Sequence, residues 1–166
     1  MGRARLAPRA PAETVRVRRA TESDLGTVEE LWQEYAREIA GFRRSPWAWT
    51  WEDVRPRLRQ AAVFLAETGE GVIGFAIASR SRPDIGHVDD LYVRPAHRRR
   101  GVAAELLRYL AHAFRERGVE HVALDIDVGN EPARRLYEKL GFTRYADRFA
   151  ADVGALAETL ARRVIP

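Results

Sequence analysis

The sequence predicts a single α/β domain in which helices flank a mixed central sheet. Two patterns support this prediction. Segments in which apolar and polar residues alternate, as in strands, are interspersed with segments whose apolar residues recur every three or four positions, as in helices. The 166-residue chain also has the length of one compact domain, and no internal repeat or linker divides it.

The composition excludes several kinds of chemistry. The chain contains no cysteine, which excludes a disulfide framework, a thiolate nucleophile and a zinc–thiolate site. No apolar run approaches the roughly 18 residues of a membrane-spanning helix, and the arginine-rich start lacks the apolar stretch of a signal peptide. We therefore expect a cytoplasmic protein with no membrane partner and no metal site. The net charge of +4 leaves nucleic acid and small anionic ligands as partner classes.

The first third of the chain predicts a strand followed by two helices. Residues 1–13 have the composition of a disordered basic arm, because two prolines interrupt them and no apolar periodicity is present. The alternating segment 14–20 predicts the first strand. Thr21 and Asp24 have the spacing of a capping box, and apolar residues at helical spacing follow them. A second, shorter helix is expected to begin near Thr50.

The remainder predicts a β-hairpin over residues 62–81, a further strand over 87–93, and then alternating helices and strands. The later elements are a helix over 101–117, a strand over 119–128, a helix from Asn130 to Gly141, a strand over 142–152 and a helix whose apolar residues run from Val153 to Val164. We assign the folded domain to residues 14–150. Residues 151–166 are expected to form an amphipathic C-terminal helix that packs on the domain or on a dimer partner.

A strongly basic turn precedes the helix over 101–117. The first N–H groups of a helix lack partners within the helix, and the helix dipole adds partial positive charge there. Gly101 allows the backbone to approach a bulky anion, and Arg98, Arg99 and Arg100 add charge-assisted hydrogen bonds that suit phosphate. Taken alone, such a turn is more often a solvated basic surface beside a capped helix.

Two motifs together make this turn more specific. The spacing Arg98-x-x-Gly101-x-Ala103 resembles the acyl-CoA motif of the GCN5-related N-acetyltransferases, the GNAT family. The segment GNEPARRLYEKLGF, residues 129–142, resembles the second signature of that family. The resemblance covers about residues 14–150. The chain departs from the commonest pattern in having Arg99 and Ala103 where many relatives have glycine.

The resemblance implies a GNAT-like acyl-CoA N-acyltransferase fold and an acetyl-CoA-dependent N-acetyltransferase that transfers acetyl directly to an amine. It implies that the pantetheine of acetyl-CoA pairs with the strand backbone at Leu91, Tyr92 and Val93. It implies that the pyrophosphate binds the turn formed by Arg98, Arg99, Arg100, Gly101, Val102, Ala103 and Ala104. Asn130 matches the asparagine that bonds the cofactor arm, and Tyr137 matches the tyrosine that protonates the departing CoA thiolate.

The acceptor amine must lose a proton as it attacks, so a base is needed near the end of the strand over 87–93. Asp89 is the first choice, since polyamine-type relatives have an active-site acidic residue at the matching position. His87 is an alternative base or a structural hydrogen-bonding residue. In a regular strand Asp89 and His87 share one face and Asp90 takes the other, but a β-bulge would change this parity.

Acidic residues also follow on the neighbouring strand. Asp125 and Asp127 share one face of the strand over 119–128 and either bind substrate or are ordinary exposed carboxylates. With His87 and Asp90 they are the candidate substrate-binding residues. A basic cofactor side and an acidic acceptor side favour a cationic small amine of the polyamine or aminoglycoside type.

Several alternatives stay open from the sequence. The acceptor is otherwise a protein N-terminus or a lysine. Trp47, Trp49 and Trp51 either stack on an acceptor or, as is more common, pack an irregular loop or a homodimer contact. Two alternatives belong to function classes other than enzymes: a basic nucleic-acid-binding module and a CoA-binding protein without turnover. The resemblance itself gives no reason to expect a nucleic-acid partner.

Overall fold

The computed structural model describes residues 14–44, 48–147 and 149–162. The strands in these ranges are β1 (Arg16–Arg19), β2 (Ala62–Thr68), β3 (Gly71–Arg82), β4 (Ile85–Val93) and β5 (His121–Leu124). The α-helices are α1 (Leu25–Ile39), α2 (Trp51–Val54), α3 (Val102–Arg115), α4 (Glu131–Lys139) and α5 (Val153–Arg162). Short 3-10 helices cover Glu22–Asp24, Arg55–Arg59 and Pro95–His97. The expected basic arm, residues 1–13, lies outside the described residues, as does Trp47.

The predicted α/β fold with a mixed sheet is confirmed. The strands lie in the order β1-β2-β3-β4-β5, with antiparallel pairing throughout except for the parallel pair β4 and β5. Helix α3 connects that parallel pair and buries Val102, Leu106, Leu110 and Phe114 against one face of the sheet. Helices α1 and α2 bury their apolar residues against the opposite face. The sheet is therefore covered on both sides, as parallel pairing requires.

The parallel pair β4 and β5 separates half-way along β4. The two strands pair only from Ile85 to Val88 on β4, opposite His121 to Leu124 on β5. Strand β5 ends there, whereas β4 continues to Val93. We call the gap between residues 89–93 of β4 and the loop 125–130 the strand cleft. On the cleft side, the backbone of these β4 residues has no ladder partner among the described residues.

A β-bulge lies at the point where the cleft begins. Ile77 of β3 pairs with Asp90, but the next residue, Ala78, pairs with Val88. Asp89 is therefore the extra residue of the bulge. Because one residue is inserted, the side chains after it change face relative to those before it.

Two expectations about the C-terminal third are wrong. The strand predicted over 119–128 ends at Leu124, and residues 142–147 and 149–152 form no strand. The side chains of Tyr145 and Phe149 are 82% and 93% exposed. Side chains of this segment make local contacts instead of strand pairs: Phe142 packs on Tyr137, and Arg144 pairs with Asp147. The final helix forms as α5 with residues 153–158 exposed, so its packing on the domain or a dimer partner stays a prediction.

Candidate active site

The basic turn has the backbone geometry that its sequence predicts. Gly101 is the N-cap of α3 and has a left-handed φ of 85°. A Cβ atom on this residue would meet nothing within 4 Å, so the space beside Gly101 is open. Glycine is favoured here by the left-handed backbone conformation and not by a lack of space. Arg99 also has a positive φ, 63°, at a position where many relatives have glycine. The first intrahelical bond is accepted by the Gly101 carbonyl from the Glu105 amide, which leaves the N–H groups of Val102, Ala103 and Ala104 at the open helix end.

The side chain of Arg98 takes part in an internal network. Its Nε atom donates to the Val93 carbonyl at 2.7 Å, and its Nη2 atom donates to Glu38 of α1 at 2.6 Å. Its guanidinium also lies 5.5 Å from the centroid of the Tyr92 ring. Within this structure Arg98 therefore connects the end of β4 to α1, while Arg99 and Arg100 are exposed.

A second arginine makes the same connection, which the sequence reasoning missed. Arg94 donates to Glu34 at 2.9 Å and to Glu30 at 2.6 Å. The Tyr92 hydroxyl also donates to Glu34, at 3.2 Å. Arg94, assisted by Tyr92, holds the pKa of that carboxyl below its ordinary value, although burial acts in the opposite direction. The signal for this network is the spacing of Glu30, Glu34 and Glu38, which places them in one row along α1.

Helix α4 carries the two residues of the second motif. Asn130 is its N-cap and accepts a hydrogen bond from the Ala133 amide at 3.2 Å, as the sequence predicts. Tyr137 is buried, and its ring packs edge-on against Phe142 at 5.4 Å between centroids. Burial, reinforced by the charge of Asp90, raises the pKa of the Tyr137 phenol well above its ordinary value.

Three of the predicted acceptor-side residues lie together at the bulge. Asp89 is exposed, and its Oδ1 atom accepts from the Ser79 hydroxyl at 2.9 Å and lies 3.1 Å from Nδ1 of His87. The other ring nitrogen of His87 is 3.5 Å from Asp125. We call His87, Asp89 and Asp125 the outer cluster. It forms an acidic patch at the start of the strand cleft.

Asp90 lies apart from the outer cluster and contacts α1. Its Oδ2 atom accepts from the indole N–H of Trp32 at 3.3 Å, and the Tyr35 hydroxyl also bonds to this carboxylate. Burial raises the pKa of Asp90 to about 6, although the hydrogen bonds from Trp32 and Tyr35 act in the opposite direction. The Asp90 carboxylate is thus held between two aromatic side chains of α1.

The loop after α1 contacts the loop 125–130, which forms one side of the strand cleft. The backbone N–H of Arg44 donates to Asp127 at 3.3 Å. A Cβ atom on Gly129 would lie 3.5 Å from the Phe42 carbonyl, so the two loops are in close contact. Asp127 therefore joins the two loops, whereas Asp125 belongs to the outer cluster.

The tryptophans between α1 and α2 have separate roles. Trp51 is buried, and its ring lies 5.8 Å from that of Trp32, which confirms the packing interpretation for this residue. Trp49 is 48% exposed and lies under the guanidinium of Arg57, 3.9 Å from its ring centroid. The indole N–H of Trp51 is buried with no hydrogen-bond partner among the described residues.

Comparison with known proteins decides the family. Residues 26–142 match the model of the acetyltransferase (GNAT) family. This chain belongs to that family. All of helix α1 but its first residue, strands β2 to β5, the basic turn and helix α4 lie inside the matched region. The resemblance seen in the two sequence motifs is therefore confirmed.

The named relatives are acetyltransferases with different acceptors. A mycothiol acetyltransferase from Thermomonospora curvata is 41% identical over 104 residues, which are 60% of this chain and 35% of that protein. A phosphinothricin N-acetyltransferase from Streptomyces viridochromogenes is 30% identical over 136 residues, covering 78% of this chain and 74% of that protein. The chain thus spans about a third of the mycothiol acetyltransferase and most of the phosphinothricin enzyme.

A solved structure shows the same fold. An aminoglycoside N-acetyltransferase in complex with CoA superimposes with a TM-score of 0.64 at 18% identity, covering 89% of this chain and 98% of that one. Among the described residues, no helix has the length and apolar character needed to cross a membrane. Nor do those residues include three or more His, Cys, Asp or Glu side chains placed so that together they could hold a metal ion.

Proposed function

We propose that the protein is an acetyl-CoA-dependent N-acetyltransferase that transfers the acetyl group directly to a primary amine of a cationic small molecule. The observation that carries this proposal is the strand cleft. At one end it has the open N-terminus of α3 and its basic turn, and at the other it has the carboxylates of the bulge. A cleft with a basic end and an acidic end suits a reaction between an anionic acyl donor and a cationic acceptor.

The residues of the cleft fit acetyl-CoA, which supplies the activated acetyl thioester when bound. The cleft-side backbone of Leu91, Tyr92 and Val93 has no ladder partner in the described part of the sheet. The Val93 carbonyl accepts from Arg98, so the other N–H and carbonyl groups on that side are the ones proposed to pair with the amides of the pantetheine arm. The amides at the start of α3 would bind the pyrophosphate, which the exposed Arg99 and Arg100 would also attract.

Arg98 belongs to the cofactor turn, and its side chain also supports that turn. Its side chain fixes the Val93 carbonyl and Glu38, which holds the end of β4 at a defined distance from α1. The turn after β4 is thereby presented to the cofactor in one position. Arg98 acts here as a positioning residue, in addition to the phosphate contact that the motif implies.

Tyr137 is the proposed general acid. Its raised pKa keeps the phenol protonated at neutral pH, which an acid requires before it donates. Asn130 has its carbonyl oxygen engaged in capping α4, so its amide NH₂ is the group proposed to bond the cofactor arm.

The acceptor side favours a cationic amine. The outer cluster and Asp127 place several carboxylates around the end of the cleft that faces the α1 loop. The phosphinothricin and aminoglycoside enzymes are relatives whose names give small-molecule acceptors, and their similarity supports an acceptor of that size. Peptide N-termini and nucleic acid are the competing partners that the experiment must separate.

Calorimetric titration with acetyl-CoA and with CoA tests the cofactor half of this proposal. We expect micromolar binding by the wild type. Gly101→Asp should weaken binding at least about tenfold, because it adds a negative charge beside the pyrophosphate. Gly101→Asn tolerates the same left-handed backbone without the charge. Gly118→Asp places the charge on another left-handed glycine with open space around it, beyond the opposite end of α3. Equal affinity in all four proteins would refute the assignment of the turn.

A thiol-release assay tests the acceptor half. The enzyme should release CoA faster with polyamines and aminoglycosides than with neutral amines or with peptides that have a free N-terminus. If peptides are preferred, the acceptor class is wrong while the N-acetyltransferase activity stands. Salt-sensitive binding of RNA or DNA without competition by acetyl-CoA would favour the nucleic-acid-binding alternative instead.

A further inference from the structure

The geometry points to Asp90, held by Trp32 and Tyr35 of α1, as the proton acceptor for the amine, with Asp89 left in the outer cluster. This inference rests on the proposed function and differs from the sequence-based choice of Asp89.

The bulge decides on which face each carboxylate lies. Before the bulge, Val88 belongs to the core on the α3 face of the sheet. After it, Tyr92 belongs to the core on the α1 face, and Asp90, two residues earlier, contacts Trp32 on that same face. Without the inserted residue Asp90 would lie on the α3 face with Val88. The bulge thus directs Asp90 towards α1.

Asp90 is held by donors that are themselves fixed by packing. Trp32 is only 5% exposed, and its ring packs against Trp51. The ring of Tyr35 packs edge-on against Phe75 at 6.1 Å between centroids. A carboxylate with two such donors has one defined orientation, which a catalytic base requires. The Oδ1 atom of Asp89, by contrast, is engaged with Ser79 and His87 at an exposed position.

The charged and titratable groups around Asp90 come from several elements. Asp89 and His87 of β4 and Tyr35 of α1 act on it directly, and Asp90 in turn raises the pKa of Tyr137 on α4. Asp127 of the loop after β5 acts on Tyr35. Burial is the largest influence, so Asp90 has a pKa of about 6, close to the pH at which a general base works best.

The proton balance of the reaction follows from this placement. The acceptor ammonium first gives one proton to Asp90, which releases it to solvent. The neutral nitrogen then forms a bond to the acyl carbon as the carbon–sulfur bond breaks. The nitrogen gives its second proton to Asp90, which has returned to the carboxylate form and releases this proton to solvent as well. The departing thiolate receives a proton from the hydroxyl of Tyr137, which solvent reprotonates. The products are an amide, a free thiol and one proton.

Variants of both carboxylates test the assignment. Asp90→Asn should lower kcat by about 10²–10⁴-fold with little change in acetyl-CoA affinity, whereas Asp89→Asn should mainly raise KM for the cationic acceptor. Asp84→Asn is the matched control, because Asp84 pairs with Arg82 at the far end of β4. Its kcat should stay within about twofold of the wild type. An Asp90→Asn enzyme with wild-type kcat would overturn the assignment.

Trp32→Phe supplies a readout that a purely structural role would not move. It keeps an aromatic ring but removes the N–H that stabilises the carboxylate, so the acidic limb of the kcat profile should shift to higher pH. Carboxyl ¹³C NMR on the substrate-free protein should show one aspartate titrating near pH 6, absent in Asp90→Asn and shifted upward in Trp32→Phe. An unshifted limb and resonance would refute the proposed geometry.

These measurements also separate the two levels of the proposal. A wild type that binds acetyl-CoA but acetylates no amine overturns the proposed function and the role of Asp90 with it. Activity that survives in Asp90→Asn but is lost in Asp89→Asn overturns only the choice of base. Binding and turnover together therefore identify which proposal has failed.

Discussion

Gly86 is a position where one added methyl group should disturb the fold. An ideal Cβ atom there would lie 2.4, 2.5 and 2.8 Å from three ring carbons of Phe114. Phe114 is 3% exposed and lies in the core between α3 and the sheet, so its ring has no open space into which it can move. Overpacking of this kind costs about 1–3 kcal/mol. We therefore expect Gly86→Ala to lower the free energy of unfolding by about 2 kcal/mol, or the melting temperature by roughly 4–8 °C.

Urea denaturation of the wild type and four variants measures this effect. Gly69→Ala is the control, since a Cβ atom there meets nothing within 4 Å, and its stability should stay within about 0.5 kcal/mol of the wild type. Phe114→Leu should relieve the clash. The loss of unfolding free energy in the double variant should therefore be smaller, by about 1 kcal/mol, than the sum of the losses in Gly86→Ala and Phe114→Leu. Additivity within about 0.5 kcal/mol would refute the proposed contact between Gly86 and Phe114.

Two further predictions address catalysis and acid stability. Tyr137→Phe should lower kcat at least about tenfold while calorimetry shows unchanged acetyl-CoA affinity, because only the proton donor is lost; wild-type turnover would exclude Tyr137 as the acid. Asp24 is paired with Arg18 at 2.7 Å, and Arg18 holds the pKa of that carboxyl well below its ordinary value. The pair therefore stabilises the fold above about pH 4 and loses its effect as the pH falls. Asp24→Asn should lower the free energy of unfolding by about 1–3 kcal/mol at pH 7. It should also reduce the loss of stability between about pH 4 and lower pH, and an unchanged dependence of stability on pH in that range would contradict this account.

Much of the fold could be predicted because its signals are local. Thr21 with Asp24, Gly101 and Asn130 each determine a helix start through contacts within a few residues, and all three form as expected. The alternation of residues 62–81 is sufficient for a hairpin because its two strands are adjacent in sequence.

The parts that the sequence could not predict depend on distant partners. The face of Asp90 is decided by a bulge, and that bulge exists only in the register between β3 and β4. The partner of Arg98, Glu38, is 60 residues away along the chain. Alternation over residues 142–152 did not produce a strand, because alternation alone does not provide a neighbouring strand edge to pair with.

Helix α1 serves both halves of the proposed reaction. Trp32 and Tyr35 hold Asp90 on the acceptor side, whereas Glu34 and Glu38 hold the arginines beside the cofactor turn. These four residues lie within two turns of one rigid element. A tilt of α1 would therefore alter both binding sites together. Any such tilt makes the affinities for the two substrates thermodynamically linked, each changing the other by the same factor.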